Sequence, residues 1–482
     1  MEKLKVGMVG TYQLNFQGDK IGVLRKSIRE MEELAKKKGF DFFPIRKGVV
    51  TEADAEKARK ELDDHNVDLV LIQNSSFSAG DIISHLARVR GRMGLWAVPE
   101  TTDSGPLPLN SFCGMNMYSS IIGQYLKEEG IPFKWFFGNI NGEFFGPRFD
   151  VTLKVLQTIK TLSKARIGLI GGIAPGFNDL YYDERKIEAK LGVRIYGLHE
   201  FSEVIQKAER FEEKRVVELI KIMKAEAVAV KVSDKRMEKA ARVYLALEQI
   251  AQNNGYAGLA VSCWPKFQTE YQLAICSSLG RLNENGIVAA CEGDVVSAVS
   301  MLILNYLNGD QSTMLDLVAF DESDQTVQMF HCGPSAKRWA NSRGVILDSH
   351  SVLGIERPGQ PIVRDDMGVI NDMIFKPVPV TILRLTWEGE YMLQLTAEIL
   401  QTKKWSFDGS RGWFGKLRMN GESISIEDLL NTIMVQRFQH HYPVGIGHLN
   451  DELMEFGVWL EIKPLERVPY QRYLQQPCLD KR

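Results

Sequence analysis

Acidic side chains follow two apolar segments that resemble buried strands, at positions where they could hold a metal ion or move a proton. Glu270 comes after the segment 258–262, and Glu292 and Asp294 come directly after the segment 287–290. Ligands bind beyond the carboxyl ends of strands in an open parallel sheet, so neighbouring strands would bring these carboxylates into one crevice. Hard divalent cations such as Mn²⁺ or Mg²⁺ prefer oxygen ligands. The spacing also fits helix-terminal roles, with Glu270 complementing a helix dipole and Asp294 acting as an N-cap.

Histidines form the second group of candidate ligands. Three of the eight, His440, His441 and His448, lie within nine positions. Imidazole adds affinity for Mn²⁺, but adjacent residues of a strand point to opposite faces, so at most one of His440 and His441 can face a given site. A further cluster, residues 331–333 (HCG), could form a wall of a site between domains. Both groups also fit surface turns or strand ends.

The elements that must position these residues fall into three parts. Residues 1–148 and 149–311 alternate apolar strand patterns with helical patterns, which predicts parallel sheets covered by helices. From residue 312 to 482, short β-rich runs are separated by turns rich in Gly, Asp and Pro. We therefore predict an α/β protein with two doubly wound parallel-sheet domains followed by a mainly antiparallel β C-terminal domain.

The charge balance, the apolar runs and the cysteines of the sequence argue against several classes of function. The 59 basic and 61 acidic residues give a net charge of -2, so no overall field favours nucleic acid or an anionic membrane. We expect no membrane span, because no apolar run approaches 18 residues, and no secretion signal precedes the first strand pattern. The cysteines contain no CxxC pair, which argues against a zinc knuckle or a disulfide framework; they are Cys113, Cys263, Cys276, Cys291, Cys332 and Cys478. A cytoplasmic protein is expected.

Glycine-rich turns follow the first strand patterns of both α/β parts. Gly7 and Gly10 form GxxG, and residues 168–172 form GxxGG. Neither is the GxGxxG pattern of dinucleotide-binding turns. We predict tight strand-to-helix turns and neither NAD nor flavin.

The stretch 263–301, CWPKFQTEYQLAICSSLGRLNENGIVAACEGDVVSAVSM, resembles the metal-binding core of the L-fucose isomerase and L-arabinose isomerase superfamily. LNSFCG at 109–114, RIGLIGG at 166–172, HCG at 331–333 and the HHYPVGIGHLNDEL segment from residue 440 agree in order with that resemblance. It spans nearly the whole chain. The WP…E…CEGD block is its specific part.

The resemblance implies a divalent-metal-dependent aldose–ketose isomerase of a free monosaccharide. Mn²⁺ is the expected cation, with Mg²⁺ or Co²⁺ as alternatives. Glu270 falls on the family's metal-binding glutamate and Asp294 on its aspartate. The histidine ligand falls within the pair at 440–441; His441 is favoured, and His440 and His448 are alternatives that could contact substrate.

The resemblance also implies a homo-oligomer, a hexamer or a smaller symmetric assembly, whose active site is shared between subunits. Trp264 would then line the sugar pocket, and Asn74 could reach the site of a neighbouring subunit. The chain departs from the family pattern at Gly293, Ser297 and Lys266. These departures suggest an unusual sugar, such as one with an anionic group on carbon 6.

An aldose–ketose step removes a proton from carbon 2 and returns one to carbon 1. A bound cation polarises the carbonyl, and Glu270 and Asp294 would serve as the acid–base pair as well as ligands. Which of them takes the carbon-bound proton stays open. A metal-dependent sugar epimerase or lyase on the same fold would begin with the same proton abstraction. A non-catalytic sugar-binding protein with two α/β lobes is the remaining alternative.

Overall fold

The computed structural model of the protein describes residues 2–353 and 367–476, so Cys478 lies outside the described residues. The chain divides into two compact units, Met1–Lys160 and Thr161–Arg482. In the described part of the chain, no helix is both long enough and apolar enough to cross a bilayer.

The first unit is built on a parallel five-stranded sheet in the order β2-β1-β3-β4-β5. The apolar run of β3 is fully buried, as expected for a parallel sheet covered on both faces. A capping box between Thr51 and Asp54 fixes the start of α2. The elements are β1 (Lys5–Thr11), α1 (Lys20–Lys38), β2 (Asp41–Val49), α2 (Glu52–Asp64), β3 (Leu69–Asn74), α3 (Asp81–Leu86), β4 (Arg92–Ala97), α4 (Ser111–Gln124), β5 (Phe133–Phe137) and α5 (Gly146–Leu162).

The second unit begins with a parallel four-stranded sheet in the order β10-β9-β6-β7. The elements of this part of the chain are β6 (Arg166–Ile170), α6 (Glu184–Leu191), β7 (Arg194–His199), α7 (Phe201–Glu209), α8 (Glu213–Glu226), β8 (Ala229–Val230), α9 (Asp234–Asn254), β9 (Gly258–Val261), α10 (Lys266–Thr269), α11 (Cys276–Glu284), β10 (Val288–Ala290) and α12 (Val295–Asn308). The short β8 does not join this sheet; it pairs with a strand of the C-terminal part.

Six antiparallel strands then close a barrel, running β16-β15-β19-β11-β12-β17 and back to β16. The C-terminal elements are β11 (Thr313–Asp321), β12 (Thr326–His331), β13 (Ile346–Asp348), β14 (Ile370–Ile374), β15 (Pro379–Leu385), β16 (Tyr391–Ile399), β17 (Ser410–Met419), β18 (Glu422–Ser423), α13 (Ile426–Val435), β19 (His441–Ile446), α14 (Asn450–Leu460) and β20 (Lys463–Pro464). The predicted fold class is confirmed: parallel α/β sheets are followed by a mainly antiparallel β part.

Helix α12 connects the sheet of the second unit to the barrel. It packs against β10 on one side and against β15 and β19 on the other. Its residues 295–304 are all buried, and each large aliphatic side chain among them contributes about 1.5–3 kcal/mol by leaving water. This packing fixes the start of α12 close to the first residue of β19.

Candidate metal centre

The turn between β10 and α12 presents two acidic residues at the carboxyl edge of the sheet. Glu292 and Gly293 both have left-handed backbone conformations, with φ of 60° and 72°. A Cβ on residue 293 would lie 2.2 Å from the carbonyl oxygen of Gly172. Glycine is therefore required here, both by φ and by the close approach of the β6 turn. The Ala174 amide donates to the Glu292 carbonyl at 2.9 Å and holds the turn against the same loop.

Asp294 is fully buried and caps α12. Its Oδ1 accepts from the Ser297 amide at 2.8 Å, and its Oδ2 accepts from the Ser297 hydroxyl at 2.8 Å. Arg384 Nη1 lies 2.5 Å from the same Oδ2, and neither side chain of this ion pair is exposed. Gly293 in the turn and Ser297 in the first turn of α12, where the chain departs from the pattern of the resemblance, thus both have a structural role.

His441 is the first residue of β19 and joins the cap to the acidic turn. Its Nδ1 lies 2.9 Å from Asp294 Oδ2, so the carboxylate can accept a hydrogen bond from Nδ1 and leave Nε2 available. His441 Nε2 is 3.3 Å from Glu292 Oε2 and 3.8 Å from Asp316 Oδ1. The β11–β19 register sets Asp316 directly opposite His441.

Two further histidines border the cluster. His331 ends β12, and its ring centroid is 5.6 Å from that of His441. The Cys332 amide donates to His331 Nδ1 at 2.8 Å, so the neutral ring carries its hydrogen on Nε2. His440 lies at the other side, with Nδ1 2.6 Å from Asp179 Oδ2 and Nε2 3.5 Å from Glu292 Oε2.

Several buried polar atoms of this cluster have no hydrogen-bond partner among the described residues: Glu292 Oε2, Asp316 Oδ1 and His331 Nε2. Donor atoms of Glu292, His331 and His441 lie within 4.8 Å of one another, and so do donor atoms of Asp316, His440 and His441. Buried polar groups are normally paired, so unpaired atoms that converge indicate a missing partner. Carboxylate oxygen and imidazole nitrogen together fit a divalent cation such as Mn²⁺.

Neighbouring acidic and basic side chains of the cluster stabilise each other's charged forms and so shift each other's pKa. Burial would raise the pKa of Glu292, but the adjacent His440 and His441 rings outweigh it and lower this pKa to about 2. Burial also opposes charge on His441 and Asp294. Nevertheless Asp294 and Glu292 raise the pKa of His441 to about 10, and Arg384 holds the pKa of Asp294 well below its usual range. The ring of His441 is therefore protonated at neutral pH, and a cation would have to displace that proton.

The structure brings three of the residues predicted from sequence together: Asp294, His440 and His441. Glu270 is exposed at the C-terminal end of the short helix α10, and it belongs to none of the converging donor groups in the described part of the chain. His448 is exposed, with Nε2 3.2 Å from the Ala397 carbonyl oxygen.

Two predicted substrate residues lie on strand ends. Trp264 is partly buried just after β9, and its bond to Pro265 is cis. Asn74, in the first unit, is buried with its Nδ2 3.4 Å from the hydroxyl oxygens of Thr11 and Ser78. Their roles in binding sugar stay predictions.

Sequence reasoning missed Asp316 and Arg384. The sequence could have indicated Arg384, because it is the only cation in the apolar run of β15 and a buried cation needs an anionic partner. No feature of the sequence distinguishes Asp316, because a single acidic residue in a barrel strand is common. Its position opposite His441 depends on the β11–β19 register.

Comparison with known proteins finds relatives that are named sulfoquinovose isomerases. A sulfoquinovose isomerase of Priestia megaterium is 26% identical over 410 residues, which cover 83% of this chain and 85% of the relative. A sulfoquinovose isomerase of Alkalicoccus urumqiensis is 25% identical over 81% of this chain and 84% of the relative. One of Clostridium sp. is 27% identical over 56% of this chain and 60% of the relative. No family model matches the chain, so the resemblance to the L-fucose and L-arabinose isomerase superfamily stays a prediction.

Solved structures align only loosely. A transporter solute-binding protein from Agrobacterium vitis, bound with α-D-tagatopyranose, covers 64% of this chain and 90% of its own at 11% identity, with a TM-score of 0.17. A score this low supports no conclusion about fold or function.

The sequence relatives make the chain an enzyme of the isomerase class, as predicted. They further support a sugar as its substrate.

Proposed function

We propose that the protein is a divalent-metal-dependent aldose–ketose isomerase of a monosaccharide that carries an anionic group on carbon 6, such as sulfoquinovose. The convergence of Glu292, His331 and His441 around unpaired buried donor atoms carries the metal part of this proposal. The names of the sequence relatives support the substrate. The exposed Lys266, directly after Trp264 and Pro265, is a candidate contact for the anionic group.

Glu292, His331 and His441 would hold the cation, with Mn²⁺ expected and Mg²⁺ or Co²⁺ as alternatives. His331 Nε2 would bind it only with the ring hydrogen moved to Nδ1, where Cys332 Sγ, 3.1 Å away, would accept it in place of the amide contact. When bound, a divalent cation would polarise the sugar carbonyl and make the adjacent carbon-bound hydrogen more acidic. Asp294 would hold His441 through Nδ1, so that Nε2 points toward Glu292 and Asp316. Asp294 is thus a positioning residue, since both of its oxygens already accept hydrogen bonds.

Asp316 is our candidate for moving the proton. Its Oδ1 is buried without a hydrogen-bond partner in the described chain, yet its side chain keeps 30% exposure. This combination leaves an oxygen free to accept a proton from a bound sugar and a path to water for releasing it. Glu270, which the resemblance favours, is the competing candidate.

The resemblance supports two further proposals. The protein would be a homo-oligomer with an active site shared between subunits. Asn74 is fully buried in its own subunit, so a neighbour's sugar could not contact it in this conformation. It would act in the cytoplasm without NAD or flavin.

A substitution pair tests the ligand set. Glu292→Gln keeps the shape of the side chain but removes its charge, and Glu270→Gln is the matched control. Protein stripped with a chelator is assayed with and without Mn²⁺ on sulfoquinovose and on glucose, its uncharged counterpart, with products identified by NMR. We expect Mn²⁺-dependent formation of the 6-sulfonated ketose, which Glu292→Gln reduces by at least a hundredfold.

Each alternative has its own signature. Loss of activity in Glu270→Gln with a normal Glu292→Gln enzyme would refute our ligand set in favour of the family match. Formation of an epimer in place of a ketose would show that the enzyme is a sugar epimerase. Equal turnover with and without Mn²⁺ in fully stripped protein would refute metal dependence.

A further inference from the structure

Two cysteines meet beside the proposed metal centre. Cys276 is the first residue of α11, and Cys332 directly follows β12. Their Sγ atoms are 3.4 Å apart, and both residues carry free thiols. A disulfide has an S–S distance of about 2.05 Å, so the two sulfur atoms need to approach by about 1.4 Å.

The surroundings of the pair favour thiol chemistry over a second metal ion. A donor atom of His350 lies within 4.8 Å of both sulfur atoms, which gives the outline of a three-ligand site. However, His350 Nδ1 accepts from the backbone amides of Val352 at 3.2 Å and Leu353 at 3.0 Å. A neutral ring therefore carries its hydrogen on Nε2, so neither nitrogen keeps a lone pair free for a cation. Ala274 and Ile370 complete an apolar wall around the thiols.

Cys332 is linked to the proposed metal centre through contacts with the adjacent residue, His331. Its Sγ is 3.1 Å from His331 Nδ1, and its backbone amide donates to the same nitrogen at 2.8 Å. His331 Nε2, on the opposite edge of the ring, is the atom proposed to hold the cation. Movement of Cys332 thus shifts the partner that orients His331.

We propose that Cys276 and Cys332 form a reversible thiol–disulfide site whose oxidation disables the metal centre. Two S–H bonds break and one S–S bond forms. The two electrons and two protons reduce an oxidant such as hydrogen peroxide to two molecules of water. Closing the bond draws Cys332 Sγ away from His331 Nδ1, so His331 loses its orientation and the centre loses affinity for its cation. The effect on activity rests on the proposed function, whereas the chemistry of the thiols does not.

The test compares oxidised and reduced protein in a Cys113→Ser background, because Cys113 is exposed and would cross-link between molecules. The hydrogen bond with Cys276 and burial both raise the pKa of the Cys332 thiol, so the metal-free protein is treated with hydrogen peroxide for hours. Peptide mass spectrometry after alkylation detects the cross-link, Mn²⁺ titration gives affinity, and dithiothreitol reverses the reaction. Cys276→Ser and Cys276→Ala are the matched controls.

We expect a Cys276–Cys332 cross-link, at least a tenfold loss of Mn²⁺ affinity and of activity, recovery on reduction, and resistance in both Cys276 variants. Absence of the cross-linked peptide overturns the inference, and so does a cross-link that leaves Mn²⁺ affinity unchanged. Equal sensitivity of the Cys276 variants also overturns it. Reduced protein that binds Mn²⁺ and cross-links as expected but never isomerises a sugar would instead refute the proposed function alone.

Discussion

Replacing Arg384 by methionine should destabilise the second unit strongly, because it leaves a buried carboxylate without its cation. Arg384 and Asp294 are both fully buried, and their ion pair is 2.5 Å long. Removing one partner of such a pair typically costs about 3–5 kcal/mol. His441 still contacts Asp294 in the variant, so we expect the lower end, about 3 kcal/mol. In a unit of this size, that corresponds to a fall in melting temperature of about 4 °C.

The assay is thermal unfolding of metal-free protein followed by calorimetry. Arg194→Met is the matched control, because Arg194 pairs with Glu188 on the surface with side chains 61% and 48% exposed. Exposed pairs contribute less than about 1 kcal/mol. The double variant Arg384→Met/Asp294→Asn removes both charges, and we expect it to be more stable than Arg384→Met alone. A fall no larger than that of Arg194→Met would refute the view that Arg384 neutralises Asp294.

The pH dependence gives a second check on the same pair. The Arg384 guanidinium and His441 hold the pKa of Asp294 below its unfolded value, so the ionised carboxylate stabilises the fold above a pH of about 4. This contribution is lost as pH falls through the folded-state pKa. Without Arg384 the contribution is smaller at every pH above that range. The difference in unfolding free energy between wild type and Arg384→Met should therefore not grow as pH falls from 7 to 3, and a larger difference at pH 3 would contradict this reasoning.

Three further predictions concern the turn, the proton and the metal. Gly293→Ala should cost more than about 1–2 kcal/mol and reduce activity, since a Cβ there meets the Gly172 carbonyl oxygen. Gly309→Ala, at nearly the same φ of 73° but with open space around it, isolates the backbone cost and should leave activity intact. Asp316→Asn should lower kcat by about 10²–10⁴-fold with a much smaller change in Mn²⁺ affinity, and a normal kcat in steady-state assays would exclude it as the base. Adding Mn²⁺ at a hundred times its Kd should stabilise stripped protein by about 2.7 kcal/mol in unfolding experiments, and Glu292→Gln should abolish this gain.

Much of the fold can be predicted from the sequence, because the periodicity of apolar residues indicates which side of each helix or strand is buried. The alternation of strand and helix patterns predicts the parallel sheets before residue 312, and the short β-rich runs predict the antiparallel strands after it. The periodicity of residues 269–282 predicts one continuous helix, but α10 ends at Thr269 and α11 begins only at Cys276, with a break between them. Apolar residues on both sides of that break hid it, since periodicity does not detect a change of direction.

The site was less accessible, because its residues come from segments far apart in the chain. The N-cap role of Asp294 was foreseen as an alternative to metal binding, and the structure shows that cap together with a contact to His441. The same two bonds explain why a carboxylate can lie beside a metal centre without being a ligand. Glu292, only two residues earlier, is turned toward the cluster by its left-handed backbone. Spacing along the sequence carries no information about such a reversal.

The proposed ligands come from both the parallel sheet and the barrel, so cation binding and folding of these two parts would depend on each other. Glu292 belongs to the parallel sheet, whereas His331 and His441 belong to barrel strands on either side of β11. A cation held by all three would join the sheet to the barrel at the end of α12, where the unpaired donor atoms now face one another. Buried polar atoms without hydrogen-bond partners make that junction costly. Metal binding should therefore slow hydrogen exchange in β10, β12 and β19 together, although these strands are distant in sequence. Protection confined to the 291–293 turn would mean that Glu292 binds the cation without the barrel histidines.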